Sequence, residues 1–208
     1  MTRRLVQLFL GLAVYGLSVG LMVRSNLGVN PWDVFHQGLS ERSGLGLGTM
    51  IIIIGAAVLL LWIPLRQRPG IGTISNVFLI GIWTDVSLWL IPPVQSLPLA
   101  WAMLLGGIFL NGVAGGAYIG AGLGPGPRDG LMTGLVKRTG KSVRSIRTGI
   151  EVVVVAVGWT LGGTLGLGTV LYALAIGPIV HRMLPLFTIA EHAPEPAPVT
   201  TDCCPQPH

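Results

Sequence analysis

Apolar residues run along this chain in six long blocks, at approximately residues 5–23, 47–64, 72–92, 99–121, 148–165 and 167–187. Each has the roughly 17–25 residues that a helix needs to cross a lipid bilayer. The pattern predicts an all-α protein with six spans. Only a short glycine-rich turn divides the last two blocks. Two shorter amphipathic segments open at Pro31 and Pro127, between the first and second blocks and between the fourth and fifth. From about residue 191 the apolar pattern stops, and the Pro-rich polar tail of 191–208 is predicted to be disordered.

The blocks are two copies of one unit. Residues 11–81 and 107–177 align at an offset of 96 without a gap, with 19 identities in 71 positions. Gly11, Gly16 and Gly20 match Gly107, Gly112 and Gly116; Gly70, Gly72 and Thr73 match Gly166, Gly168 and Thr169. Gly16 and Gly20 form a G-x-x-x-G, as do Gly112 and Gly116, and such glycines let helix backbones approach closely in lipid. The chain divides into a first repeat at 1–96, a second at 97–190 and the tail. Three spans per copy is an odd number, which inverts the second copy relative to the first, the plan of many transporters.

Composition fixes the compartment. Mean hydropathy is +0.72 and only 10% of residues are charged, far below the quarter to a third typical of a soluble surface. The bilayer is therefore the first partner. The net charge of +5 reads as membrane topology rather than nucleic-acid binding, because the basic residues sit at helix ends and in one loop. With the N-terminus in the cytoplasm, eleven of the thirteen Lys and Arg residues fall inside, leaving only Arg24 and Arg42 outside. The positive-inside rule then places both termini in the cytoplasm. The two cysteines, Cys203 and Cys204, lie in the tail, so no disulfide framework is expected in the membrane body. No spacing of a standard metal site occurs, and neither a metal nor a cofactor is expected.

Chemistry concentrates in the paired motif L-G-x-x-P-x-D, at Leu27–Asp33 and Leu123–Asp129. Pro31 and Pro127 suit the first position of a helix. Asp33 and Asp129 then sit at the third, where a carboxylate meets the positive helix end. Asn30 is a good N-cap, and Gly126 is tolerable there. Each helix would run about 12 residues, or about 18 Å, and stop at Gly44 or Gly140. Gly28 and Gly124 mark the extended arm that precedes it. Two placements fit. A re-entrant hairpin would bring Asn30, Asp33, Arg128 and Asp129 together near the midplane. An interfacial helix would use the apolar face of Trp32, Phe35 and Leu39 and leave the Lys137–Arg147 run against anionic lipid. His36 on the first short helix is a proton carrier or simply polar lining.

Polar groups inside the spans favour the deeper placement. Asp85 lies well within the third block, Asn111 in the fourth, and Arg147 and Glu151 in the fifth at i, i+4. Intramembrane ionisable residues are costly and mark functional sites by default. Asp85 and Glu151 are candidate coupling groups. An ion pair with Arg147 is the simpler role for Glu151, an interhelical hydrogen bond for Asn111, and an interfacial position beside Trp83 and Trp89 for Asp85.

The motifs Gly28–Leu39, Pro69–Thr73, Gly126–Met132 and Gly166–Thr169 occur in order and in register. On these the chain resembles the bacterial YczE membrane proteins, of the broader YczE/YyaS/YitT group, over roughly residues 5–187. The resemblance implies a multi-pass protein of the bacterial inner membrane and no particular substrate. Taken with the repeat, the expected function is a small-solute permease with a midplane site between inverted repeats, and not an enzyme. Asn30, Asp33, His36, Arg128 and Asp129 would line its pathway. A membrane accessory or scaffold that binds a partner protein or lipid is the alternative. Three spans per repeat make a small permease, for which a homodimer is plausible.

Overall fold

The computed structural model describes residues 1–189; the Pro-rich tail lies outside them. Among the described residues every regular element is a helix: α1 (Thr2–Ser25), α2 (Pro31–Ser43), α3 (Leu47–Trp62), α4 (Ile71–Leu90), α5 (Leu97–Gly120), α6 (Pro127–Thr139), α7 (Val143–Thr160) and α8 (Leu167–Phe187). The starts of α2, α3 and α4 recur 96 residues later as the starts of α6, α7 and α8.

All six apolar blocks fold as helices, but they are not equivalent as spans. Four, namely α1, α4, α5 and α8, are long and apolar enough to cross a membrane. The count rises to five if α2 and α3, bent by 113° at their junction, make one broken span. At 16 residues, α3 is about 24 Å long by the helical rise. The fifth block is displaced toward the N-terminus: α7 covers 143–160 rather than 148–165. Ser142 caps it by accepting from the Ser145 amide, and Gly162, at φ 108°, turns the chain away afterwards. As a result α7 carries Arg144, Arg147 and Glu151 in its first half.

The four long helices form the centre, with α1 packed on α5, α1 on α4 and α5 on α8. The short helices pack outward across the two copies, α2 against α7 and α6 against α3. Glycine makes the central approach close. A Cβ at Gly16 would stand 2.5 Å from Trp83 Cβ, and one at Gly20 would meet the Ser87 side chain of α4. Gly112 and Gly116 face Ile179 and Met183 of α8 in the corresponding way. Val19, Met22, Leu104 and Ile108 bury the α1–α5 seam. On the outside, large apolar side chains such as Leu10, Leu60, Trp89 and Leu174 are exposed. A continuous apolar surface of this kind suits lipid rather than water.

Contacts between the halves come in exchanged pairs. The Gly72 amide donates to the Leu123 carbonyl at 2.9 Å, and the Gly168 amide to the Leu27 carbonyl at 2.9 Å. The extended arm before each short helix is thus held by the start of the last helix of the other copy. Gly28 and Gly124 both adopt φ 123°, which L side chains rarely adopt. A Cβ there would also strike Thr169 or Thr73.

Gly16→Val should therefore overpack the α1–α4 seam and cost about 1–3 kcal/mol, seen as a lowered melting temperature in detergent. Gly106→Ala, whose Cβ would meet nothing within 4 Å, should leave the melting temperature unchanged or raise it.

Candidate functional site

The local sequence sets both short helices as their residues require. Pro31 and Pro127 occupy the first turn, and Gly44 and Gly140 end the helices in the left-handed region at φ 71° and 68°. The N-caps differ. Asn30 Oδ1 accepts from the Asp33 amide at 3.0 Å, whereas Gly126 offers no side-chain cap. The Asn30 side-chain amide also donates to Asp33 Oδ2.

The starts of α2 and α6 meet. Arg128 Nη2 lies 3.6 Å from Asp33 Oδ1, and its Nη1 reaches Asn30 Oδ1 at 3.5 Å. The Arg128 guanidinium sits 5.0 Å from the centre of the Trp32 ring, a cation–π contact. Trp32 and Arg128 are equivalent positions of the two copies, so each copy meets the other at the same point of its motif. Asp33 Oδ1 also accepts from His36 Nδ1 at 3.1 Å. Asp33 and His36 are each only 1% exposed, while the Arg128 side chain keeps 29%.

Beside this junction lies a cavity of about 160 Å³. Asn30, Trp32 and His36 from α2 and Arg128 and Asp129 from α6 line it, with Arg147 and Glu151 from α7. Asp33 stands directly behind that lining, bonded to three of its members. Asp129 Oδ2 accepts from the Tyr118 hydroxyl at 3.0 Å. Arg147 Nε and Glu151 Oε1 pair at 2.9 Å. The site therefore presents cations, carboxylates, an imidazole and aromatic faces within one partly enclosed space. Such a set can bind a polar or ionic solute in an otherwise apolar body.

Five candidates named from sequence thus converge here: Asn30, Asp33, His36, Arg128 and Asp129. Arg147 and Glu151 join them. Two others lie elsewhere. Asp85 accepts from the Gly48 amide at 2.7 Å and so caps the start of α3. Asn111 sits behind the cavity wall, donating to Ser18 Oγ and accepting from the Tyr172 hydroxyl, both at 2.8 Å. Pro31 and Pro127 shape the cavity rim; Gly28 and Gly124 support the arms behind it.

Residues passed over in the sequence complete the wall. All three tyrosines of the chain, Tyr15, Tyr118 and Tyr172, line the cavity, as does Asn76. The repeat carried a signal for all but Tyr118, which aligns with Met22: Tyr15 aligns with Asn111, and Asn76 with Tyr172. At these two pairs of positions, a polar residue inside one copy's spans is matched by a polar residue in the other. Trp62 also supports the site. Its Nε1 donates to the Pro127 carbonyl at 3.0 Å, and its ring covers Gly130, where a Cβ would stand 2.0 Å away.

The helices and their apolar exterior define an all-helical membrane protein. Within that class, the chain belongs to the DUF6198 family, a family of unknown function, matched over residues 2–185. It is 36% identical over 187 residues to an uncharacterized protein of Haemophilus influenzae, covering 90% of this chain and 86% of that one. It is also 36% identical over 179 residues to the uncharacterized membrane protein YczE of Bacillus subtilis, covering 85% and 83%. The Bacillus subtilis protein YyaS is 24% identical over 181 residues, 85% of this chain and 90% of its own. The resemblance carried by the four motifs thus extends to YczE and YyaS. No solved structure matches.

Asn30→Ala removes the cap of α2 and one support of Asp33. It should lower stability by about 1 kcal/mol, measured by thermal unfolding, and Asn30→Ser should recover most of that loss.

Proposed function

We propose that this protein is a small-solute permease of the bacterial inner membrane, acting as a carrier rather than an enzyme, with its binding site at the junction of α2 and α6. The supporting observation is the convergence of the two Pro-x-Asp helix starts, one from each copy, on a cavity lined by charged groups. Non-helical backbone at depth in a bilayer is tolerated where protein buries it or a wet cavity hydrates it, and the arms at 27–30 and 123–126 meet that condition.

In this reading the copies are inverted repeats of three spans each. The helices α3 and α7 are the short middle crossings, and α2 and α6 are re-entrant. A 16-residue crossing is accommodated by local thinning of the bilayer. Both termini face the cytoplasm, which keeps the Lys137–Arg147 run inside. Transport moves one repeat against the other around the Asp33–Arg128 contact, and a homodimer fits the small size of the bundle.

A second reading draws on the exposure of Lys137, Arg138, Lys141, Arg144 and Arg147. That basic face would suit a scaffold docking an anionic partner protein or lipid. The two readings separate cleanly. A thermal-shift screen of the purified protein against metabolites and ions should yield a compound that stabilises the wild type but not Asp33→Asn/Asp129→Asn. At a hundredfold excess over Kd the stabilisation is about 2.7 kcal/mol. That compound should then be transported into proteoliposomes by the wild type alone. A double variant that transports as well as the wild type would refute the site. Loss of function on charge reversal at Lys137–Arg147, with insertion and transport intact, would favour the scaffold.

A further inference from the structure

The Asp33 carboxylate is shared. One oxygen, Oδ1, takes both the His36 Nδ1 proton at 3.1 Å and the Arg128 guanidinium at 3.6 Å. The first partner belongs to its own helix, and the second is a charged link to the other copy. His36 is almost fully buried and still lines the cavity. Its Nδ1 is engaged, so Nε2 is the ring nitrogen left to exchange a proton with water there. Charged groups facing this space are Arg128 and Asp129 from α6 and Arg147 and Glu151 from α7. The phenols of Tyr15, Tyr118 and Tyr172 come from α1, α5 and α8, and α3 contributes no titratable group to the lining.

We propose that His36 is the proton-binding group of the transport cycle, and that its protonation releases Arg128 from the carboxylate the two share. The inference rests on the permease reading and supplies its coupling ion. When Nε2 accepts a proton from cavity water, the imidazolium keeps Asp33 through the shorter contact. One carboxylate then faces two cations in a poorly solvated place, where charges interact far more strongly than in water. Arg128 holds the longer contact and the more exposed side chain, so it is the partner that leaves. It turns toward the cavity, where Asp129 forms no ion pair among the described residues. The charged tie between the α2 and α6 starts is then broken, and return of the proton to water restores it. Protonation thereby biases a two-state contact between the copies, which is what coupling requires.

The two coupling candidates named from sequence are otherwise engaged. Asp85 caps α3, and Glu151 is paired with Arg147 on its own helix. His36 lines the cavity and bonds the carboxylate of the link between the copies, and unlike Asn30 beside it, it can take up a proton.

The test reads conformation and needs no solute. Spin labels at Glu41→Cys and Lys137→Cys, with Cys203 and Cys204 replaced by Ser, report the distance between the exposed ends of α2 and α6. Pulsed EPR of the protein in nanodiscs should show a shift in that distance between about pH 8 and about pH 5.5, the range over which an imidazole titrates. His36→Gln should lose the shift and stay in the high-pH distribution. Arg128→Gln should hold the low-pH distribution at every pH, so the inference stays testable even if His36→Gln fails to fold. An unmoved wild type overturns it, as does a shift that persists in either variant. A solute transported with pH-independent distances would sink this inference and spare the permease reading. A pH-driven rearrangement in a protein that binds no compound would do the reverse.

Discussion

The constraint on which the rest of this structure depends is the need to satisfy backbone polar groups inside an apolar body. The arms at 27–30 and 123–126 are not helical, so they cannot bond within themselves. Each is matched by the other copy, through the Gly168 amide on the Leu27 carbonyl and the Gly72 amide on the Leu123 carbonyl. Close approach follows from that exchange. It demands glycine at 28, 72, 124 and 168, and it anchors the helix starts at Pro31 and Pro127 opposite each other. The cavity lies beside the junction so formed.

Within that shared frame the copies have diverged at the positions that meet. Trp32 faces Arg128, so the site gains an aromatic plate and a cation where a strict repeat would place two of the same. Asn30 caps α2, and its counterpart Gly126 leaves the start of α6 uncapped by any side chain. His36 corresponds to Met132, and the Arg147–Glu151 pair corresponds to Ile51 and Gly55. The first copy therefore contributes the carboxylate and imidazole of the link, and the second contributes both guanidinium groups of the cavity. Identical halves with arginine at both equivalent positions would form the Asp–Arg contact twice. With Trp32 in place of one of them, the contact is made by Asp33 and Arg128 and has no counterpart at Asp129 among the described residues.

What could be read from the sequence was local in origin. The proline, aspartate and glycine of the paired motif each act within a few residues, so the short helices and their ends were legible to within a residue. The glycine spacing in α1 and α5 likewise announced close packing. The limits of α7 were less legible, because apolarity begins well after the helix does and Ser142 sets its start. The capping role of Asp85 was not legible, because its partner is a backbone amide 37 residues away. The three tyrosines were missed for a similar reason. Tyr15 and Tyr172 read as ordinary apolar-span residues until the other copy sets Asn111 and Asn76 beside them, and Tyr118, opposite Met22, has no such sign. The junction itself, with Asp33 and Arg128 side by side, was expected only through the assumption that the two copies face each other.

The exchange of arms also has a consequence in time. The Leu27 carbonyl is made early, and its donor, the Gly168 amide, lies 141 residues later in the chain. At ribosomal speeds of ~5–20 residues per second, the delay between them is on the order of ten seconds. Through that interval the first half waits in or at the bilayer with a polar segment still lacking its proper mate. During synthesis, the second half acts as a folding template that arrives last, and a ribosome that stalls before Gly168 leaves behind a product with an open seam for membrane quality control to find.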